Sequence, residues 1–186
     1  MPSILSHPAI PLALGLGRRL VPGPLLLAGV AASMLPDLDV IGFDLGVPYG
    51  SAFGHRGCSH SLLTAAVIAL LGAWALRRWR LGWVGSIGFL FVAAASHGIL
   101  DACTSGGLGV ALFWPWSEAR YFAPFRGIRV APLGLARFLS ARGATVLLSE
   151  IRWVWLPSLA LAAALALIRT GLGRGQKARV TASGLP

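Results

Sequence analysis

Charged side chains are scarce in this sequence, and acidic ones are the scarcest. Only 12% of the 186 residues are charged, with 6 Asp and Glu against 16 Lys and Arg. Soluble globular domains carry about 25% charged residues. Here 56% of the residues are hydrophobic, and the mean hydropathy is +0.75. This composition excludes an ordinary soluble domain and favours a membrane protein.

Cysteine is also scarce, because the chain has only Cys58 and Cys103. Two cysteines exclude a framework of several disulfides. We expect both to be small apolar residues of the interior. A disulfide between them, or a part as additional metal ligands, stays open. No positive charge precedes the first apolar stretch, so we do not expect a secretory signal there.

Long uncharged stretches recur along the chain, at residues 1–17, 20–36, 61–76, 81–100 and 153–168. A membrane span needs roughly 20 apolar residues, with a lower limit near 17. The shorter stretches end at arginines, whose side chains can reach the headgroups and lengthen the effective span. The sequence therefore predicts an all-α polytopic membrane bundle with about five membrane-embedded helices. We expect one domain over 1–170 and a basic, disordered tail over 171–186.

Proline and glycine positions predict where individual helices begin and end. Proline is tolerated in the first turn of a helix, where its missing N–H costs nothing. Helices are expected at residues 8–16, 24–35, 61–76, 81–101 and 153–168. A further amphipathic helix is expected at 133–148. The loop 37–59 and the aromatic-rich segment 104–129 connect these helices, the latter at the membrane interface.

The net charge of +10 comes largely from arginines between and beyond the apolar stretches. They form two tight turns, at Arg18-Arg19 and at Arg77-Arg78-Arg80, and the last group lies in the tail. This placement is typical of topology signals and of attraction to anionic lipid. We therefore expect membrane lipids as partners and no nucleic acid.

The four histidines and most of the acidic residues lie on one side of the predicted membrane. Following the chain through successive crossings, the basic turns and the tail fall on one side. The other side receives His7, Asp37, Asp39, His55, His60, His97, Asp101 and Glu150. Ionisable groups at membrane depth are costly unless they pair with each other or with a metal. The clustering therefore predicts a functional site.

The residue types and spacings of this cluster suit metal coordination. His97 and Asp101 are four residues apart and share one helix face. His55 and His60 are five apart, so one is expected in the loop and one at the start of a helix. Imidazole nitrogen with carboxylate oxygen indicates Zn²⁺, with Mn²⁺ or Fe²⁺ as alternatives. His7 is either a further ligand or an interfacial residue.

Several short motifs carry a resemblance to a known family. They are Ser6-His7, Pro36-Asp37-Leu38-Asp39, His55-Arg56-Gly57-Cys58-Ser59-His60-Ser61, Ser96-His97-Gly98-Ile99-Leu100-Asp101 and Ser149-Glu150. In this combination the chain resembles the bacterial inner-membrane family of membrane-bound metal-dependent hydrolases. That family is remotely similar to the zinc phospholipase C and P1 nuclease group. The resemblance implies metal ligation by Asp37, by His60 or His55, and by His97 with Asp101.

The predicted function is hydrolysis of a phosphoester in a lipid or lipid-linked substrate, with one or two divalent ions. Arg56 is expected to neutralise phosphoryl charge, and Glu150 or Asp39 to act as general base or as ligand of a second ion. The alternative is a non-enzymatic metal-binding protein: an ion carrier, a sensor or a structural metal site. The density of the basic turns places the site on the outer face of the bacterial inner membrane.

Overall fold

The computed structural model of the chain describes residues 1–18, 21–132 and 134–182. Within these residues every named element is helical, and β structure is limited to two isolated bridges. The α-helices are α1 (Ala9–Arg18), α2 (Gly23–Met34), α3 (Ile41–Asp44), α4 (Leu62–Ala75), α5 (Trp83–Ala102), α6 (Leu135–Phe138), α7 (Ala141–Glu150) and α8 (Leu156–Ala182). The predicted all-α fold is confirmed.

Four helical stretches of the described chain are long and apolar enough to cross a membrane. They are Gly23–Asp44, Leu62–Trp79, Trp83–Ala102 and Ala141–Gly171. The first joins α2 to α3 through the 3₁₀ turn Leu35–Val40, and the second joins α4 to the 3₁₀ turn Leu76–Trp79. The fifth predicted helix is α1, whose 10 residues extend only about 15 Å. Because that is half of the hydrocarbon thickness, α1 packs on α8 instead of spanning alone.

Small residues allow the helices to pack closely. Ala65, Ala69 and Ala73 recur every four residues on one face of α4 and are buried against Leu90 of α5. α5 also packs on α2. Between α1 and α8, a Cβ on Gly17 would lie 2.8 Å from the carbonyl oxygen of Ala162. Close approach of backbones at small residues is the usual way that membrane helices associate.

The last two predicted helices are joined, contrary to the sequence expectation. The structure connects α7 to α8 through a π-helical turn, Ile151–Trp155, whereas a break was expected between 148 and 153. Pro157 explains the wider turn, because a proline ring clashes with the carbonyl four residues earlier, here that of Trp153. The amphipathic helix expected at 133–148 is divided into α6 and α7. α8 continues to Ala182, past the predicted boundary at 170, and residues 183–186 lie outside the described part.

Two long segments cover one end of the bundle. Residues 45–61 and 104–132 are joined by a backbone hydrogen bond from Ala111 N to Arg56 O, and Leu62 N at the start of α4 donates to Leu112 O. Ala123 N donates to Ala102 O at the end of α5. The second segment is therefore fixed to the helix ends, where a functional site would need a rigid frame.

Candidate metal centre

The predicted site residues gather at the covered end of the bundle. α4 begins just after His60, and α5 ends just after Asp101. The 14 residues of α4 separate this end from the basic turn at Arg77 by about 21 Å. Asp37 and Asp39 lie in the 3₁₀ turn that follows α2.

Four buried residues form the centre of the cluster: Asp37, His60, His97 and Asp101. Their ligand atoms all lie within 4.8 Å of one another. The two histidine Nε2 atoms are 3.0 Å apart. His97 Nε2 lies 3.4 Å from Asp37 Oδ1, and His60 Nε2 lies 3.4 Å from Asp101 Oδ2. Neighbouring ligand atoms of a tetrahedral zinc ion are about 3.3 Å apart, so these four residues can hold one ion.

Hydrogen bonds on the far side of each ring determine which nitrogen faces the centre unprotonated. His97 Nδ1 donates to the carbonyl oxygen of Ser33 at 2.8 Å. His60 Nδ1 lies 2.9 Å from Ser59 Oγ and 3.2 Å from Asp39 Oδ2, and a carboxylate can only accept. In the neutral rings both Nε2 atoms therefore carry lone pairs and point at each other. Ligand histidines of metal sites are oriented by hydrogen bonds of this kind.

The charges of the cluster require a cation. Both carboxylate oxygens of Asp37 and of Asp101 are buried without a hydrogen-bond partner in the described chain. Buried carboxylates are ordinarily paired or bound to metals. Burial by itself lowers the pKa of His60, but the nearby carboxylates of Asp101 and Asp39 outweigh this and raise the pKa to about 9. In the metal-free protein His60 therefore takes up a proton, which supplies the positive charge that a metal would supply instead.

His7 lies beside this group, on its other flank. Its ring stacks on His97 with 3.7 Å between the centroids, and its Nε2 lies 3.6 Å from Asp37 Oδ2. Burial, followed by the neighbouring charge of His97, lowers the pKa of His7 to about 3. The ring is thus neutral, and neither nitrogen has a hydrogen-bond partner among the described residues. Asp37 has one oxygen towards each histidine group, which is the arrangement a second ion would use.

Asp39 and His55 lie next to the four-residue centre but do not belong to it. Asp39 Oδ1 accepts from His55 Nδ1 at 2.6 Å, and Oδ2 accepts from Ser59 Oγ at 2.5 Å. The same Oδ2 lies 3.2 Å from His60 Nδ1. Asp39, His55 and His60 also qualify geometrically as a three-residue metal group. However, His60 presents its other nitrogen to the four-residue centre. The geometry therefore favours Asp39 as the residue that orients His60, with His55 supporting it.

Arg56 is completely buried and has protein partners for each nitrogen of its guanidinium. Nε lies 2.8 Å from Asp101 Oδ2, although its N–H is not aligned with that oxygen, so the contact is ionic. The other two nitrogens donate to Gly106 O and Thr104 Oγ1, both at 3.0 Å. Its backbone has a positive φ of 63°, a strained conformation for a residue with a side chain. These contacts favour positioning of Asp101 over the predicted contact with a phosphoryl group.

Glu150 is buried at the end of α7 and binds the N-terminal segment. It accepts hydrogen bonds from Ser3 N, from Ser3 Oγ at 2.6 Å and from Ser6 Oγ at 2.8 Å. His7 follows directly after Ser6. With both oxygens engaged, Glu150 is placed to anchor the segment that carries His7, and this favours a positioning part over the predicted general base.

Several residues that complete the site were not among the sequence candidates. The carbonyl of Ser33 and the hydroxyl of Thr104 each bind a candidate residue. Arg120 donates to the carbonyl oxygens of Tyr49, Ser51 and His55 and so holds the loop in place. Contacts made by backbone carbonyls cannot be predicted from residue types. Arg120, in contrast, is an arginine in the aromatic-rich segment 104–129, and this position is a signal that the sequence contains. Cys58 and Cys103 are free thiols.

The helical spans and the buried His and Asp cluster define a multi-pass membrane protein with a candidate metal centre. The family profile described as YdjM inner membrane protein matches residues 1–174. The chain belongs to this family and is an inner membrane protein. It is 48% identical over 164 residues to the inner membrane protein YbcI of Escherichia coli (strain K12), covering 87% of this chain and 95% of that protein. No solved structure matches significantly.

Proposed function

We propose that the protein is a metal-dependent hydrolase that cleaves a phosphoester of a lipid or lipid-linked substrate. One observation carries the proposal: imidazole nitrogens of His60 and His97 and carboxylate oxygens of Asp37 and Asp101 converge in a buried space. The resemblance of the motifs to membrane-bound metal-dependent hydrolases supports the choice of reaction.

Zn²⁺ is the proposed ion, because two nitrogen and two oxygen ligands at these separations suit a small tetrahedral site. Asp37, His60, His97 and Asp101 would hold the first ion. His7 with the second oxygen of Asp37 would contribute to another. A bound divalent ion supplies Lewis-acid activation of water near neutral pH.

The chain's own residues would keep these ligands in place. Asp39 holds the proton on His60 Nδ1, Ser33 does the same for His97, and Arg56 balances the charge of Asp101. Glu150 keeps the segment with His7 against the cluster through Ser3 and Ser6. Such preorganisation is what a hydrolytic site needs in order to bind its substrate in one orientation.

A non-enzymatic metal protein is the second candidate, and one observation favours it. All four central residues are buried, and a closed set of four ligands is typical of structural zinc sites. An ion carrier is the weaker form of this alternative. It needs a polar path, yet the only polar side chain within α4 is Thr64, in the first turn.

The proposal is tested by hydrolysis assays on purified, zinc-loaded protein, with a phospholipid and a small chromogenic phosphodiester as substrates. We expect turnover by the parent protein and its loss in Asp101→Asn. Asp44→Asn is the matched control, since Asp44 is exposed, and it should keep full activity. Zinc binding without turnover of either substrate would favour the structural or carrier alternative.

We further propose that the site faces the outer side of the membrane, since the dense arginine turn between α4 and α5 is typical of a cytoplasmic loop. Ser51 lies in the loop of the site end, and Ser51→Cys would report its side. Labelling of this cysteine in intact cells by an impermeant reagent, above the level of the parent protein, is expected. Labelling only after lysis would place the site in the cytoplasm.

A further inference from the structure

An apolar groove runs beside the candidate metal centre. It lies between the N-terminal segment, with Ile4 and Leu5, and the segment that carries Ala131 and Phe138. Its volume is about 480 Å³, within the size range of small-molecule binding sites. Asp37 and Val40 line its inner side. The groove therefore reaches a residue of the metal centre while the rest of its wall is almost entirely apolar.

The surroundings of the groove indicate which kind of molecule enters it. At its mouth Ile4 and Leu5 are 44% and 55% exposed, and Leu38 and Ile41 on the adjoining 3₁₀ and α3 turns are 58% and 55% exposed. Leu38 and Ile41 belong to the candidate span Gly23–Asp44, and exposed apolar surface on a membrane-spanning stretch faces lipid. The groove thus continues a lipid-facing surface inwards to Asp37.

A second cavity provides a comparison. It is larger, about 730 Å³, and lies between α2 and α5 among Leu25, Gly85 and Phe89. No titratable residue lines it, so a lipid chain there would meet no chemistry. Of these two cavities in the described part of the chain, the groove beside Asp37 is the one that joins an apolar wall to the metal centre.

We propose that this groove binds one acyl chain of a lipid whose phosphate group lies at the metal centre. This inference rests on the proposed function and specifies its substrate: an amphiphile with a long chain and an anionic head, not a soluble phosphoester. The apolar wall supplies affinity in proportion to the chain surface that it covers. The buried centre excludes the chain, because burial of His7, Asp37 and Asp101 would otherwise leave their polar atoms against hydrocarbon.

The test uses the full-length, zinc-loaded protein in detergent and a long-chain alkyl phosphate with a photoreactive diazirine on its chain. We expect saturable crosslinking that maps to residues 1–7 and 131–138 and that unlabelled alkyl phosphate displaces. Ala131→Trp fills the groove and should lower this crosslinking at least tenfold without changing the zinc content. Ala164→Trp, on an exposed part of α8, should crosslink like the parent.

Leu5→Asp provides a second variant at an exposed position, in case the larger side chain at position 131 prevents folding. A charge at the mouth should also weaken crosslinking at least tenfold, whereas Leu16→Asp, equally exposed on α1, should not. Unsaturable labelling along all helices, or unchanged labelling in both groove variants, would overturn the proposal.

Failure of the groove proposal can be told apart from failure of the hydrolase proposal. Crosslinking in the groove without any hydrolysis would support the lipid site and contradict the hydrolase proposal. If Ala131→Trp lowers hydrolysis of the phospholipid and of the small chromogenic phosphodiester equally, the hydrolase proposal stands and the groove proposal is overturned. Loss of phospholipid hydrolysis in Ala131→Trp, with hydrolysis of the small phosphodiester retained, supports both proposals.

Discussion

The two halves of the helical bundle are held together by different physical means. Towards the basic turn, α4 and α5 pack through alanines and Leu90, with few polar atoms inside. At the other end the interior holds buried histidines, aspartates, Arg56 and Glu150. The first half gains stability from close contact, which a steric change disturbs. The second depends on charge balance, so it should respond to loss of a partner charge or of a cation.

The largest effect is expected when the buried arginine is removed. Arg56→Met leaves Asp101 buried without its ionic partner, and such losses cost about 3–5 kcal/mol. The free energy of unfolding in mild detergent should fall by about that amount. Arg78→Met, at the exposed turn of the other half, should change it little. If Arg56 instead served only to bind a phosphoryl group, stability would stay near that of the parent while activity fell.

A smaller effect is expected from crowding the tightly packed helices. A Cβ on Gly17 would approach backbone atoms of Ala162, so Gly17→Ala should lower the free energy of unfolding by about 1–3 kcal/mol. Zinc content should stay unchanged, since the contact lies between α1 and α8. Gly85→Ala is the control, because a Cβ there meets nothing within 4 Å. Loss of zinc in Gly17→Ala would show that the two halves are coupled.

Asp39→Asn tests whether the carboxylate orients His60. The amide keeps the shape but weakens the acceptor of the His60 Nδ1–H, and such changes lower metal affinity about 10- to 100-fold. Competition with a chromogenic chelator measures the dissociation constant of zinc. The exposed Asp44→Asn variant should retain the parent value. An unchanged affinity in Asp39→Asn would contradict the orienting part of Asp39.

The smallest effect is expected for a change of one pH unit. In the metal-free protein the pKa of His60 is about 9, so zinc must displace a proton from it. Because this proton is bound below pH 9, affinity should rise about tenfold for each pH unit between 6 and 8 and level off above 9. Titrations at four pH values measure the slope. A flat profile would show that His60 does not lose a proton when zinc binds.

The sequence predicted that the His and Asp residues of the site lie at one end of the bundle, because this follows from the topology of the chain. The candidate spans bring Asp37, His60 and His97 to one end, whereas His7 precedes the short helix α1, which does not span alone. The spacing of His97 and Asp101 places both on one face, and the structure includes both in one group. The helical type of the spans follows from their apolar length.

The contacts that orient the site could not be predicted from local pattern. Glu150 binds Ser3 across 147 residues, and no periodicity reports such a distance. Whether Arg56 faces inwards depends on its positive φ and on partners from the segment after α5. The joining of α7 to α8 was missed because charged Glu150 and Arg152 resemble a boundary, whereas a helix continues wherever its backbone bonds allow.

Elemental analysis of the detergent-purified protein tests most directly whether the buried cluster binds a metal. The parent and the Asp44→Asn control should contain zinc or a similar divalent ion at about one to two equivalents. The double variant His97→Ala, Asp101→Ala removes two of the four central ligands and should contain almost none. Equal metal content in the double variant and the parent would contradict the assignment of the centre to these residues.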